Sequence, residues 1–123
     1  MDADDLEAIA ARLFDAFVAH DLDLVESMLA PGAILTQNGT ALPWSEARPM
    51  IEGLRDVLGD HVYTEVRRVT GDHAVVEEHH VVSTTPAGDA VDLAACVVLR
   101  VNADGLITQL DEYVDPTPLA ALG

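Results

Sequence analysis

The stretch VVEEHHVV, residues 75–82, sets two carboxylates beside two imidazoles. A Glu-His pair can pass a proton, and imidazole does so near neutral pH. Alternate side chains of an extended strand point to opposite faces. Val75, Glu77, His79 and Val81 therefore share one face, and Val76, Glu78, His80 and Val82 share the other. Each face reads Val-Glu-His-Val, so the residues alone do not say which pair meets a pocket. A further carboxylate, Glu112, interrupts Leu106, Leu110 and Val114 at alternate positions. A carboxylate among apolar neighbours is costly without a partner or a use.

The choice of face follows from the neighbouring strand pattern. In residues 91–101 the odd positions are Val91, Leu93, Ala95, Val97, Leu99 and Val101, whereas Asp92 and Arg100 are even. The odd face therefore points inward there. A two- or four-residue loop within TPAGD sets Val82 opposite Leu93, His80 opposite Ala95 and Glu78 opposite Val97. Directly paired residues share a face, so the even set turns inward; a three-residue loop would reverse the result. If Ala103-Asp104 makes the next turn, His80, Ala95 and Glu112 form one row; if Asp104-Gly105 does, Glu112 stands opposite Val97. The expected catalytic set is Glu112, His80 and Glu78. Thr36 and Asn38 are expected to hold a carbonyl, hydroxyl or water, and Trp44 to sit at the pocket mouth. Val82, Leu93, Ala95, Val97, Leu110 and Val114 complete the expected lining.

Other chemistries find little support. There is no lysine for a Schiff base and no glycine-rich phosphate loop. His79 and His80 point to opposite faces and cannot share a metal, and Cys96 is alone. Neither a metal nor a cofactor is expected.

The elements that must position these residues read as α+β. Leu6, Ile9, Ala10, Leu13, Phe14 and Phe17 recur at helical spacing over 4–19, with Asp4 and Glu7 in a capping-box pattern. Asp21 caps a short second helix that Ala30-Pro31-Gly32 stops, and AILTQ (33–37) follows as a strand. Ser45 caps a third helix ending at Gly59. Period-two patterning then gives four strands at 61–69, 74–84, 91–101 and 106–114, joined by short turns. The expectation is a single domain, 1–123, with a curved antiparallel sheet wrapped around N-terminal helices as a cone-like roll.

A formal net charge of −16 argues against nucleic acid and anionic membrane surfaces as partners. No apolar run approaches the roughly 20 residues that span a bilayer, and the acidic start has no basic n-region. A cytoplasmic protein is expected.

The order helix–helix–strand–helix–four strands, with HDLDLVESMLAPGAIL and the closing Gly105, Ile107, Tyr113 and Asp115, resembles the nuclear-transport-factor-2-like superfamily. The resemblance is to its SnoaL-like branch, alongside polyketide cyclases, ketosteroid isomerases and limonene epoxide hydrolases. It implies a deep apolar pocket closed by helices and a homodimer through the outer sheet face, where Ala94, Cys96 and Val98 would lie. The limonene epoxide hydrolases are similar at Thr36-Gln37-Asn38, and their final-strand aspartate falls at Glu112. Their catalytic arginine and second aspartate fall at Glu78 and His80, so that triad is not carried over. The isomerases' catalytic positions fall near Leu13, Gln37 or Asn38, and Val97, which do not reproduce their machinery. The implied function is cofactor-free acid-base catalysis on a small apolar, polyketide- or terpenoid-like molecule, by cyclisation, isomerisation or addition of water to an epoxide. The alternative is a non-catalytic ligand-binding or dimerisation module on the same fold.

Overall fold

The computed structural model describes residues 1–122. Helix α1 (Ala3–Val18) starts at Asp2, whose carboxylate takes the Asp5 N–H while Asp5 reaches back to the Asp2 N–H. This reciprocal cap lies two residues before the Asp4-Glu7 pattern, because Asp2 and Asp5 offer the same spacing earlier in an acidic start. Leu6, Ala10, Leu13 and Phe14 form its buried stripe. Asp21 caps α2 (Leu22–Met28) by accepting from the Leu24 N–H, as its spacing predicted.

Strand β1 (Leu29–Gln37) begins as soon as α2 ends and runs through Pro31-Gly32. It turns at Asn38-Gly39 into the short β2 (Thr40–Leu42). Helix α3 (Trp44–Leu58) is capped by Pro43, not Ser45, and no side-chain bond closes its N-terminus. Salt bridges from Arg48 to Asp23 at 2.8 Å and Glu52 at 3.2 Å tie α3 to α2 and to itself.

The remaining strands are β3 (His61–Gly71), β4 (Ala74–Thr84), β5 (Ala90–Val101) and β6 (Ile107–Val114), followed by a 3-10 turn at Thr117–Leu122. The α+β class and the sheet around N-terminal helices match the expectation. The sheet order is β2-β1-β6-β5-β4-β3. Three reversals through β3–β6 leave β6 running in the direction of β1, so this one pairing is parallel. The core lies between α1, α2 and the inner faces of β1, β4, β5 and β6.

One turn and two bulges decide which side chains look inward. The β4–β5 connection closes on Thr85 and Asp89: the Thr85 N–H donates to the Asp89 carbonyl at 2.8 Å. Only Pro86, Ala87 and Gly88 lie between them, with Gly88 at φ +92°. This is the three-residue hairpin loop in which a left-handed residue follows a tight turn. It sets Glu77 opposite Val97, His79 opposite Ala95 and Val81 opposite Leu93. The inward face of β4 is therefore odd, contrary to the even-face expectation. Glu77 and His79 are 1% and 2% exposed, while Glu78 is exposed and His80 half-buried on the outer face.

In β3 a bulge between Thr64 and Arg67, with Glu65 at φ +54°, switches the inward parity. His61 and Tyr63 face inward before it, and Arg68 faces inward after it. In β6 an irregularity next to Val101 does the same: Ile107 is fully buried, and from Leu110 onward the even residues turn inward. Glu112 stands opposite Val97, the second of the two registers the sequence allowed.

Candidate active site

A cavity of about 380 Å³ opens between the concave face of the sheet and the helices α1 and α3. Its wall is mostly aliphatic and aromatic: Phe14 and Phe17 from α1, Met50, Ile51 and Leu54 from α3, and Val81 from the sheet. Polar residues also border it, with His20, Ser83 and the paired Arg55 and Asp60 among them. Glu112 from β6 receives a hydrogen bond from the Gln37 amide of β1, Nε2 to Oε1 at 2.8 Å. The parallel register sets these two residues side by side. From β3, His61 and Tyr63 enter the same cavity with their rings in edge contact, centroids 4.7 Å apart.

Electrostatics sort these groups. Burial pushes the Tyr63 phenol well above its ordinary value, and the carboxylates of Glu112 and Glu77 add to the shift. Tyr63 therefore stays protonated and keeps an O–H to donate. Burial also lowers His61, helped by its proximity to His79, so its imidazole is neutral at pH 7 and can accept a proton.

Behind this wall lies a second polar group. The Arg68 Nε donates to Glu77 Oε1 at 2.6 Å, and His79 Nδ1 meets Glu77 Oε2 at 2.6 Å. The His79 ring packs against Tyr63 at 4.3 Å and against Phe14 at 5.0 Å. A desolvated carboxylate needs such partners, and Glu77 has one on each oxygen.

The residues expected from the sequence divide clearly. Glu112, Leu93, Val97, Leu110 and Val114 line the cavity. Ala95 is buried on the inward face beside His79. Glu78, His80 and Val82 do not reach the cavity, because the odd-length loop turns them outward. On that outer face His80 bonds Asp92 at 2.6 Å and Glu65 at 3.1 Å. The Asp92 hydrogen bond raises its pKa most, so this imidazole is held toward its charged form.

Thr36 borders the cavity, but its hydroxyl turns outward and donates to Asp111 at 2.8 Å. Asp111 is also held by Arg100 at 2.8 Å and Gln109 at 3.0 Å. Burial would raise the Asp111 carboxyl, but these bonds outweigh it and hold it low. Asn38 borders the cavity too, with its amide occupied by the backbone N–H and carbonyl of Val114, at 3.0 and 3.1 Å. Trp44 is not in the cavity wall; it packs on the core while its indole N–H donates to Glu26 at 2.7 Å.

The sequence reading passed over His61, Tyr63 and Arg68, turned Glu77 and His79 to the outer face, and gave Gln37 no role of its own. Gln37 follows from β1 alternation, since Leu35 is inward. The alternation of His61 with Tyr63 was visible too. Arg68 was not, because only the bulge brings it inward. Among the described residues, no three His, Cys, Asp or Glu side chains converge as a metal site requires.

A family model for the SnoaL-like domain matches residues 10–110. The chain belongs to that family, a branch of the nuclear-transport-factor-2-like superfamily. Among solved structures it is similar to AclR from Streptomyces galilaeus, a candidate hydroxylase, with 17% identity over 98% of this chain and 85% of that one, TM-score 0.88. It is also similar to a candidate polyketide cyclase from Xanthomonas campestris pv. campestris, with 16% identity over 96% of each chain and TM-score 0.82. IdmH from Streptomyces antibioticus, a candidate polyketide cyclase, shares 19% identity over 94% of this chain and 95% of that one, TM-score 0.82. At these identities the likeness shows the fold. No curated protein matches the chain.

Proposed function

We propose that this chain is a cofactor-free acid-base catalyst acting on a small, largely apolar molecule, by cyclisation, isomerisation or addition of water. The observation that carries this reading is Glu112, fixed by the Gln37 amide on the wall of a mostly apolar cavity. A carboxylate so placed can take a proton from a bound molecule, and the Gln37 amide orients the oxygen it holds. Tyr63 donates to developing negative charge on the ligand oxygen. Neutral His61 is the second proton carrier, taking the role first expected of His80.

The test is turnover on a panel of epoxides, enones and polyketide mimics. Glu112→Gln should lower kcat by roughly 10²–10⁴, the usual worth of a positioned acid or base. The acidic limb belonging to His61 should lie below the ordinary histidine value of about 6.5, because its pKa is lowered and it protonates only as pH falls past that point. Unchanged turnover in Glu112→Gln and His61→Ala would assign the cavity to binding alone.

The reading includes a homodimer through the outer sheet face. Cys96 and Val98 are half-buried there and Ala94 is exposed, a row suited to covering by a second copy.

A further inference from the structure

The Arg68–Glu77–His79 cluster has a feature that core packing does not explain. His79 is 2% exposed, and its Nε2 is buried without a hydrogen-bond partner. Buried polar atoms are nearly always paired, and an orphan on an oriented imidazole needs a reason. The orientation itself is well made. Glu77 fixes Nδ1 at 2.6 Å, and Arg68 fixes Glu77 at 2.6 Å on its other oxygen. Because a carboxylate only accepts, Nδ1 carries the hydrogen that meets Glu77, and the tautomer so fixed leaves Nε2 as the acceptor. The His79 ring packs against Tyr63 and Phe14, with centroids 4.3 and 5.0 Å away, and both of those residues line the cavity.

We propose that His79 is a second polar station of the cavity, where Nε2 accepts a hydrogen bond from the hydroxyl of an aromatic or enolic ring once the Phe14 and Tyr63 side chains part to admit it. The inference rests on the ligand-binding reading of the cavity and specifies its ligand class. An acceptor selects a donor. Arg68 cancels the Glu77 charge, so no surplus negative charge favours an ammonium over a neutral hydroxyl. Aromatic walls on two sides suit a planar ring. His79 is then a substrate-contacting group, with Glu77 and Arg68 as positioning residues.

The probes are 2-naphthol and its methyl ether, which differ in the one donor. Binding is followed by titration, and Nε2 by nitrogen NMR of histidine-labelled wild-type protein. The naphthol should bind roughly tenfold more tightly, about the worth of one buried hydrogen bond. It alone should move the His79 Nε2 resonance from that of a free lone pair. His79→Phe should bind both probes equally, and Glu77→Gln should weaken the preference while keeping the ring. A naphthol that binds and leaves Nε2 unmoved overturns the inference. So does an Nε2 already hydrogen-bonded to water and unchanged by either probe. Exclusion of both probes from the wild-type protein overturns the inference together with the binding reading. Glu112→Gln should keep the naphthol preference, so failure of the catalytic role at Glu112 is distinguishable from failure at His79.

Discussion

At the scale of single residues, Glu77 is a buried carboxylate held on both sides. It is 1% exposed, and each oxygen has a partner, Arg68 on one and His79 on the other. Removing the guanidinium leaves a desolvated carboxylate with only an imidazole to answer it. Breaking a buried pair costs several kcal/mol, less where one partner keeps some contact with water, as Arg68 does. Arg68→Ala should therefore destabilise by about 2–3 kcal/mol and lower Tm by roughly 10 °C. Thermal unfolding followed by circular dichroism checks this, and a Tm within about 2 °C of wild type would contradict the pairing. Residue chemistry itself was legible in the sequence: a Glu-His pair on the inward face of β4 was foreseen, and one exists. The members are Glu77 and His79 instead of Glu78 and His80, because a face is a property of pairing and not of the residue.

At the scale of elements, one loop residue accounts for that difference. TPAGD permits both even and odd hairpin connections, and the Thr85–Asp89 pair selects the odd one. A one-residue change of register exchanges the two faces of a strand whose faces read alike. In β5, where the odd positions are uniformly apolar and the charged Asp92 and Arg100 are even, the same ambiguity never arose. Glu112 was placed on the correct wall although Ile107, not Leu106, opens the buried face of β6. The bulges were not legible, since nothing local to Glu65 or Thr108 announces them. The end of α3 offers a test at this scale. Gly59 sits at φ 78°, ψ −179°, a conformation essentially reserved for glycine, and a Cβ there would meet the Thr84 carbonyl oxygen. Gly59→Ala should cost about 2 kcal/mol or more, read from the urea midpoint. Because Leu58, Asp60 and His61 line the cavity on either side, the same variant should weaken ligand binding. A midpoint equal to wild type would show that the turn relaxes freely.

At the scale of the whole molecule, charge and cavity set the conditions of use. Twenty-two acidic residues against six arginines give a net charge of −16 at pH 7. Such a surface repels itself, and screening relieves the repulsion. Raising sodium chloride from about 10 mM to about 150 mM, which shortens the screening length to roughly 8 Å, should raise Tm by a few degrees. A Tm that is flat or falls with salt would mean that local pairs such as Arg48–Asp23 dominate instead. Among the described residues, no helix is long and apolar enough to cross a membrane.

The parallel seam between β1 and β6 also fixes an order of events. Gln37 and Glu112 lie 75 positions apart, yet their bond spans adjacent strands at the cavity wall. A chain emerging from the ribosome can form α1, α2 and the first hairpin early. It cannot complete the Glu112 site until β6 has been made. Long-range pairing of this kind closes slowly, because chain entropy is lost before contacts repay it. Until the last strand docks, the edge of β1 is open and the cavity lacks a wall. Competence to bind thus reports complete folding, and partly folded chains would carry the same residues without the site.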